Sequence, residues 1–596
     1  MLGKCLIYPM QIPILSLITW LPTASALIAV CIPTRRNNIF KIIALITLLG
    51  QGICFIGMLY HLPFPLPFTD NPSTLTSLFF VERFSWMCFP LGNLGILSSN
   101  YYLGIDGLNI GLIALALIVL LIGIVASWSI KKYVKAYFIL YLLLNTLIIG
   151  SLAALDFLLF YIFFEITLIP IYFFIGLWGD AKGPYAATKF FLYTLLGTLF
   201  ILVVLIGLGL SAYDPIATGI QAGIINTPLS ENILPETVDM IQQMVQDNQI
   251  ASKDIVHTFD IPLMADAKNF VPDASFNVTN NKMLGSYPLR LLGFLVLLIG
   301  FLIKLAAVPL HSWLPDAHVQ APTPISIVLA GILLKLGGYG LLRTAYSIFP
   351  EGAVYYGFWI GVLGIVCSIY AALNALAMQD LKKMVAYASI AHMGFFLLGL
   401  STLTAEGMQG AIYQLISHGL ITTLLFLLVE VLYKRTNDRT INHYSGLAAR
   451  MPYYTILSLI AFSAALGLPG FSGFIAELLI LLGAFRSSIY STYLPIGLGI
   501  LGGLCILLNA TYYVWTIQRM FAGEFSLHFP TLEPDLKDIN VQERIVLLSI
   551  IVLVAVLGIY PNLLLNLTRD TLIHFVDRIQ EVGQTNLQKL LMMVSI

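Results

Sequence analysis

Long apolar runs recur along this 596-residue sequence, and they limit its fold more than any other feature. An α-helix of about 20 apolar residues crosses a hydrocarbon core roughly 30 Å thick. Only helices and closed barrels satisfy every backbone polar group in lipid. Runs of this kind lie near 12–32, 39–60, 107–128, 136–155, 157–178, 189–212, 289–313, 324–346, 353–376, 383–403, 407–432, 453–485, 491–518 and 542–567. We therefore expect an all-α polytopic membrane protein with about 14 transmembrane helices.

Composition supports a membrane protein and argues against several other classes. Charged residues make up only 10% of the chain, whereas soluble domains contain roughly 25%. Thirty basic residues balance thirty acidic ones, so no net charge attracts nucleic acid. The six cysteines stand singly and no nucleotide-binding motif is present, so we expect no redox cofactor, metal or nucleotide in this chain.

Basic residues predict the orientation of the chain, because they concentrate in loops on the inner side of a membrane. Three such loops hold Arg35 and Arg36, Lys131 and Lys132, and Lys182, and later loops keep the alternation, with Lys382 and Lys383 in the loop before the tenth run. Both termini should then lie on the outer side, together with the acidic segment Ser211 to Leu289. We expect that segment to be a solvated insertion or a docking element, with a short helix around Glu236 to Gln249.

Two further segments outside the apolar runs have predicted structures. Residues Asp70 to Tyr102 are expected to form a surface hairpin. Residues Arg569 to Ile596 are expected to form an amphipathic helix at the membrane interface.

Lys304 is the most informative ionisable residue. It lies deep inside the run 289–313, where a charge costs about 2.5 to 3.5 kcal/mol on insertion scales. Pro309 follows it and must break the helix, which frees backbone carbonyls near the lysine. A buried ionisable group beside a broken helix indicates an ion pathway.

Other ionisable residues fall near the same depth. By their distance along each run, Glu165, Lys335, His392 and His418 lie about 12 to 17 Å from a membrane face. Glu477 belongs to a run that would overshoot the bilayer as one helix, so a break is expected at Leu468–Pro469–Gly470. Arg343 falls near an interface, where snorkelling explains its charge.

Each of these residues also has a purely structural interpretation. A lone transmembrane histidine is commonly a hydrogen-bond partner between helices, and Glu165 with Lys304 can be a fixed ion pair. The whole set is more informative, because two lysines, two glutamates and two histidines lie at one depth on different helices. Desolvation disfavours the charged forms of lysine and glutamate, and histidine titrates near neutral pH, so such a row can pass protons.

Several segments carry a family resemblance. FFEITLIPIYFFIGLWG, KLAAVPLHSWLPDAHVQAPTP, LAGILLKLGGYGLLR, LKKMVAYASIAHMGF, YQLISHGLITTLLF and LGLPGFSGFIAELLIL resemble the large antiporter-like membrane subunit of respiratory complex I, called NuoM in bacteria and subunit 4 in mitochondria. The resemblance covers most of Gly107 to Phe521, although the segment between the sixth and seventh runs is longer than expected.

The resemblance implies two inverted five-helix repeats, each with a broken helix. The implied parts are 1–106 (N-terminal helical hairpin and outer loop), 107–135 (third helix), 136–350 (first repeat, with the insertion 211–289), 351–520 (second repeat) and 521–596 (last span and amphipathic helix). Family positions for a proton relay match Glu165, Lys304, Lys335, His418 and Glu477, and the polar-axis histidines match His311 and His392.

The implied function is proton translocation in an NADH:quinone oxidoreductase of the mitochondrial inner or bacterial plasma membrane. NADH, FMN, iron–sulfur clusters and quinone would bind other subunits of the complex. Partners would be antiporter-like sister subunits on both sides, the lipid bilayer, and accessory subunits at the insertion. Two alternatives stay open, namely a D-type subunit of a cation/proton antiporter or membrane hydrogenase, and a non-conducting assembly scaffold.

Overall fold

Helices that cross the membrane make up most of the protein. The computed structural model describes residues 13–34, 36–62, 78–225, 235–279, 282–284, 287–491, 493–528 and 536–594. Thirteen helices in this part of the chain are long and apolar enough to span a membrane: Ile14–Cys31, Asn37–Tyr60, Ile110–Ser129, Val134–Ala153, Phe157–Trp178, Gly183–Ser211, Thr323–Tyr346, Pro350–Ala377, Leu381–Ser401, Ala405–Thr436, Ser472–Ile489, Ile496–Phe521 and Val541–Ile559. The helix Leu289–Leu305 lies in the remaining predicted run. Each of the fourteen predicted runs therefore contains a helix, and the all-α membrane fold is confirmed.

Two of the spans are broken, as predicted. The first broken helix consists of Leu289–Leu305 and Trp313–Gln320, and the chain leaves the first half at Ala306, whose φ is +60°. The second broken helix consists of Pro452–Ala465 and Ser472–Arg486. Glycine provides the left-handed turns of the second break, at Gly467 and Gly470, where φ is +72° and +98°.

The order of the spans agrees with two repeats. The first broken helix is the fourth of five spans counted from Val134–Ala153, and the second is the fourth of five counted from Pro350–Ala377. Five is an odd number, so the second series starts from the opposite face of the membrane and is inverted relative to the first. The limits of the five predicted parts of the chain stay predictions.

The most buried helices lie at the centre of the molecule. Residues of Thr323–Tyr346 are all buried in its most apolar stretch, and Leu381–Ser401 and Ala405–Thr436 are 94% buried by the same measure. The first two helices and Val541–Ile559 are at most one-third buried and lie at the periphery. The central helices therefore place their polar side chains far from lipid.

Glycine allows the central helices to approach the first broken helix closely. A Cβ atom on Gly337 would lie 3.0 Å from the backbone nitrogen of Leu305 and 3.3 Å from the carbonyl carbon of Lys304. The helix that contains Lys335 therefore packs directly on the backbone of Lys304.

One face, predicted to be the outer one and called the outer face below, carries a small sheet, and the opposite face is called the inner face. Strands Phe79–Pro90 and Ile96–Ile105 form an antiparallel hairpin, and Val256–Thr258 pairs in parallel with the second strand. The hairpin predicted for Asp70 to Tyr102 is confirmed from residue 78 onward, and residues 70–77 lie outside the described part of the chain. Within the insertion lie the helices Pro215–Gln221, Pro235–Gln246 and Ile261–Ala265, and the strands Met283–Leu284 and Tyr287–Pro288. Pro235–Gln246 matches the predicted short helix.

Carboxylates fasten the outer sheet to the membrane helices. Glu82 accepts hydrogen bonds from the backbone amides of Leu15 and Ser16 and so caps the first helix. The next residue, Arg83, bonds to Asp214 at 2.9 Å and also to Asp260. The hairpin is thereby held between the first span and the insertion.

Asp156 extends this network to the helix that carries Glu165. Its side chain accepts from the backbone amide of Leu159, which caps that helix, and from the amide of Asn100 at 2.8 Å. Burial, followed by the charge of Asp260, raises the pKa of Asp156 to about 7. The two carboxyls therefore hold a proton more readily than separate aspartates would.

The remaining elements lie at the two faces and the C-terminus. Strands Tyr444–Ser445 and Ser526–Leu527 pair at the inner side. Short 3-10 turns occupy Gly92–Leu94, Ser252–Asp254, Ala267–Asn269, Ile441–His443 and Leu447–Ala449.

The C-terminal segment forms one long helix, Asn562–Val594, and it lies across the outer ends of several spans. Gln580 donates to the carbonyl of Leu403 at 2.6 Å, and Arg578 donates to that of Ala265 at 2.8 Å. The location of this helix at a membrane interface stays a prediction.

Two buried ion pairs connect helix ends that are distant in sequence. Arg343 pairs with Asp106 at 2.7 Å and is almost fully buried. Snorkelling is therefore the wrong explanation for Arg343, because its partner lies 237 residues away in sequence and was not visible from hydropathy. Arg290 pairs with Glu351 at 2.5 Å and also donates to the carbonyl of Phe276 at 2.7 Å.

The Arg290–Glu351 pair allows a stability test. Arg290→Met should lower the free energy of unfolding by about 3 to 5 kcal/mol, because Glu351 then stays buried without its cation. The double variant with Glu351→Leu should recover most of this loss. Denaturant titration of the purified chain in detergent micelles measures both.

An exposed ion pair serves as the control. Lys268 and Asp239 are 3.2 Å apart, with side chains 67% and 64% exposed. Lys268→Met should change the free energy of unfolding by less than about 1 kcal/mol. Equal effects of Arg290→Met and Lys268→Met would contradict the structural role of the buried pair.

Candidate functional site

Lys304 lies at the end of the first half of the broken helix and is 3% exposed. Its Nζ donates to the hydroxyl of Thr167 at 3.3 Å and lies 4.5 Å from the centre of the Phe164 ring. Both contacts come from the span that carries Glu165. A cation in this position has one hydroxyl and one aromatic face as its direct contacts.

Glu165 is close to Lys304 but does not form a direct ion pair with it. The carboxylate interacts electrostatically with Lys304 and hydrogen-bonds to Thr198, while its Oε2 has no hydrogen-bond partner in the described structure. The span is interrupted at Thr167 between Phe157–Ile166 and Leu168–Trp178. Pro170 explains the interruption, because it cannot donate a backbone bond to Ile166. The structural alternative of a fixed Glu165–Lys304 contact is therefore not what is observed.

Lys335 and His418 form the tightest contact of the predicted row. Nζ of Lys335 lies 2.7 Å from Nδ1 of His418 and also donates to the carbonyl of Ala330. Lys335 is completely buried. It follows a π-helical turn, Leu329–Leu333, and such turns leave carbonyls free to accept extra bonds.

His392 and Glu477 continue the row from His418. The rings of His392 and His418 are 5.3 Å apart, and Nδ1 of His392 lies 3.7 Å from Oε1 of Glu477. Gln414 also reaches Nδ1 of His392, at 3.2 Å. The sequence placed these residues at one depth, and the structure brings Lys335, His418, His392 and Glu477 together.

A cavity lies between these side chains. Its lining includes His392, Gln414, His418, Glu477 and Tyr513, and it has room for roughly one water molecule. Its walls supply imidazole, amide, hydroxyl and carboxyl groups, so a water there would find several hydrogen-bond partners.

The second helix break makes space for Glu477. Gly467 has a left-handed backbone, and a Cβ atom on it would lie 2.4 Å from Oε2 of Glu477. Any larger residue would displace the carboxylate. The glutamate is 4% exposed and lies five residues after Ser472, the first residue of the second half-helix, beside the break.

His311 is set apart from this row. It lies in the first break, its ring is 5.1 Å from that of Tyr370, and its Nδ1 is unbonded in the described structure. Lys189 acts on it electrostatically and pairs with Asp316 at 2.7 Å. His311 therefore lies in the break that follows Lys304 and close to a partly exposed ion pair.

Two further buried groups near the row were not predicted as site residues. His318 is completely buried and neither ring nitrogen has a hydrogen-bond partner among the described residues. Lys382 is 1% exposed, although its place at the start of a span suggested an ordinary loop charge. His318 was visible in the segment HSWLPDAH, but nothing in the sequence pattern marked Lys382 as buried.

No group of three or more His, Cys, Asp or Glu side chains in the described ranges is placed to hold a metal ion. The row instead consists of separate titratable groups on six spans. Groups of these types can exchange protons with their neighbours when their environment brings the pKa values close together.

A family match and the most similar relatives point to the same protein family. The family described as "NADH:quinone oxidoreductase/Mrp antiporter, TM" matches residues 153–213 and 263–501, on either side of most of the outer insertion. NADH-quinone oxidoreductase subunit M of Rickettsia prowazekii is 34% identical over 94% of this chain and 97% of its own length. NADH-ubiquinone oxidoreductase chain 4 of Marchantia polymorpha is 32% identical over 94% of this chain and 96% of its own.

Solved structures agree with this. A chain of respiratory complex I from Thermus thermophilus with bound NADH has a TM-score of 0.69 and 25% identity, covering 95% of this chain and 99% of that one. A chain of the Mrp complex from Dietzia sp. has a TM-score of 0.68 at 17% identity, covering 97% and 99%, which shows the shared fold alone. The chain belongs to the NADH:quinone oxidoreductase/Mrp antiporter family, within the group of subunit M and chain 4 proteins.

Proposed function

We propose that this chain is the proton-translocating M-type subunit of a respiratory complex I and that it couples NADH:quinone electron transfer to proton pumping. The observation that carries the proposal is the continuous line of titratable groups from Lys335 through His418 and His392 to Glu477, in the most buried part of the bundle. Such groups are costly in a membrane interior and are retained there for function.

The relatives favour complex I over a cation/proton antiporter. Those at 32 to 34% identity are named as quinone oxidoreductase subunits, whereas the Mrp chain is 17% identical. Purification of the native complex tests this choice. A flavin and iron–sulfur arm and sensitivity to a piericidin-type inhibitor are expected, and an assembly without flavin would favour the D-type antiporter subunit.

Proton transfer is most direct between Lys335 and His418. The lysine ammonium can release a proton to Nδ1 across 2.7 Å, and the imidazole can then release a proton from its other nitrogen. That nitrogen, Nε2, has no hydrogen-bond partner in the described structure and is therefore not committed to a fixed acceptor. His418 thus serves as a relay between the lysine and the cavity.

Glu477 receives the proton at the far side of the cavity. His392 lies near both His418 and the glutamate, and Gln414 orients its ring. A carboxylate there stabilises an approaching imidazolium and becomes neutral when it takes the proton. Glu477 then connects the row to the exit or to a neighbouring subunit.

The first repeat supplies the other half of the row. Glu165 controls the proton of Lys304 by its charge, with Thr167 as the hydroxyl that holds the ammonium. Gly337 brings the helix of Lys335 onto the backbone of Lys304. A change of charge at Lys304 therefore changes the electrostatic potential at Lys335. His311 connects Lys304 toward the pair Lys189–Asp316.

Redox chemistry belongs to other subunits in this proposal. NADH, FMN, iron–sulfur clusters and quinone bind elsewhere in the complex, and electron transfer there changes the field at one end of the row. The membrane is the bacterial plasma membrane or the mitochondrial inner membrane. Accessory subunits would contact the outer insertion, 211–289. This segment is acidic and does not line the proposed proton path.

A sister subunit should cover the face around Glu165. The carboxylate is half-buried, and the neighbouring Ile166 and Ile169 are 40% and 49% exposed on the isolated chain. A partly exposed carboxylate about 13 Å along its helix would otherwise face lipid, which is costly. An antiporter-like neighbour with a polar group at this depth removes that cost.

Replacement of Lys304 tests the proton row. Lys304→Ala should leave the complex assembled, because only a costly buried charge is lost, and it should lower pumping about tenfold or more. Lys304→Arg should lower proton pumping by a similar factor, because a guanidinium keeps its proton. Proton uptake by proteoliposomes during NADH oxidation measures both, and full pumping by an assembled Lys304→Ala complex would favour the scaffold.

Gly467 gives a second test. Gly467→Ala should displace the carboxylate of Glu477 and lower pumping, with the complex still assembled. Gly470→Ala is the matched control, since Gly470 has a similar positive φ but open space where a Cβ would lie. Equal losses in both variants would mean that backbone strain, and not the position of Glu477, is responsible.

A photo-crosslinking side chain at Ile169 tests the sister-subunit interface. In the assembled complex it should form an adduct with an adjoining membrane subunit, because that subunit is expected to cover Glu165. Mass spectrometry identifies the product. Adducts with lipid alone would contradict the interface.

A further inference from the structure

His318 is a buried histidine whose surroundings leave its ring nitrogens free. It lies in the second half of the first broken helix, and its ring stacks on Phe426 at 4.9 Å with an angle of 14° between the planes. Neither Nδ1 nor Nε2 has a hydrogen-bond partner in the described structure. An unbonded buried polar group costs about 1 to 3 kcal/mol, so stacking alone is a poor reason to keep a histidine here.

Lys382 lies at the inner end of the same half-helix. Its Nζ donates to the carbonyl oxygen of Ala321 at 2.6 Å, where Trp313–Gln320 ends. A cation is favourable at a helix C-terminus, and this contact alone would explain a lysine or an arginine. Burial is the feature that it does not explain, because a capping lysine at a helix end is ordinarily solvated.

Partly exposed charges surround Lys382 toward the inner side. Arg439 donates to Asp180 at 3.2 Å and lies 3.5 Å from Asp380, and the two aspartates are 43% and 31% exposed. Lys382 interacts electrostatically with these three residues and with Glu430. The lysine therefore connects electrostatically to groups that exchange protons with inner water.

The other side of this cluster leads to the centre of the membrane. His318 interacts electrostatically with both Lys382 and Lys335, and His418 interacts with His318. Lys382 is the second residue of its span, and His392 lies ten residues further on, about 15 Å deeper. His318 thus lies at an intermediate depth, between Lys382 at the inner end of the span and the Lys335–His418 pair.

We propose that Lys382 and His318 form an inner proton-uptake branch that supplies the Lys335–His418 pair. The proposal rests on the function proposed above and adds two proton-transfer residues to it. The Lys382 ammonium gives one proton to the His318 imidazole, which becomes an imidazolium and passes one proton to the Lys335 amine through intervening water. Lys382 then recovers its proton from inner water by way of Asp380 or Asp180. Each cycle therefore moves one proton from the inner side to the centre of the membrane.

Substitutions at Lys382 separate proton transfer from helix capping. Lys382→Arg keeps a cation that can donate to Ala321, but a guanidinium does not release its proton. Lys382→Met loses both properties. If Lys382 carries protons, both variants lower pumping about tenfold or more, whereas a capping role predicts that arginine restores it. Normal pumping by Lys382→Arg would overturn the proposal.

His318→Phe tests the second member of the branch. Phenylalanine can keep the stacking on Phe426 but cannot carry a proton, so packing is retained and pumping should fall about tenfold or more. Lys383→Met is the matched control, because it removes the neighbouring, half-buried lysine of the same helical turn and should pump normally. Full pumping by His318→Phe, or equal loss in Lys383→Met, would overturn the proposal.

Lys304→Ala in the same proteoliposome assay distinguishes failure of the branch from failure of the proposed function. If Lys304→Ala pumps fully, the proton row itself is wrong. If Lys304→Ala stops pumping while Lys382→Arg and His318→Phe pump fully, the row stands and the inner branch is overturned. Loss in all three, with assembly shown by subunit content, supports the branch.

Discussion

The structure depends on one constraint, which is that a backbone group in a membrane interior must find a hydrogen-bond partner inside the protein. Each helix break therefore needs its own replacements. At the first break, Trp313 donates through its indole to the carbonyl of Ile303 at 2.9 Å, and the amide of Val308 lies 3.1 Å from the sulfur of Cys367. At the second, the amide of Leu468 bonds to the carbonyl of Ser463 at 3.2 Å. Because these bonds are supplied locally, a lysine and a glutamate can each stand beside an interrupted helix without opening the bundle.

The two repeats use their breaks differently. In the first, the ionisable residue precedes the break, and Lys304 ends its half-helix against an aromatic ring and a hydroxyl. In the second it follows the break, and Glu477 fills the space that Gly467 leaves open. Glu165 is half-buried at the edge of the chain, whereas Glu477 is enclosed. One carboxylate is thus reached from the surface of the chain and the other from within it, which gives the row a direction in space.

Much of this arrangement was predictable from the sequence, because hydropathy and chain breakers are local signals. The length of the apolar runs predicted the spans, Pro309 predicted the first break, and Leu468 to Gly470 predicted the second. Pairings between distant residues were not predictable. Arg343 was expected to snorkel, yet it pairs with Asp106, and Lys382 was expected in a loop, yet it is buried against Ala321. Both errors have one cause: depth along a single helix says nothing about which neighbouring helix covers that side of it.

Polar groups are satisfied very differently at the outer face and at the centre. Outer carboxylates have fixed partners, since Glu351 pairs with Arg290 and Asp106 with Arg343. Central groups are left incompletely bonded, as Oε2 of Glu165, Nε2 of His418 and both ring nitrogens of His318 show within the described residues. A fully bonded group holds one protonation state, because a change would break its bonds, whereas an incompletely bonded group can gain or lose a proton without breaking a hydrogen bond. Rigid outer pairs thus fix the helices, so that the uncommitted central groups keep the spacing that the proposed proton transfer requires.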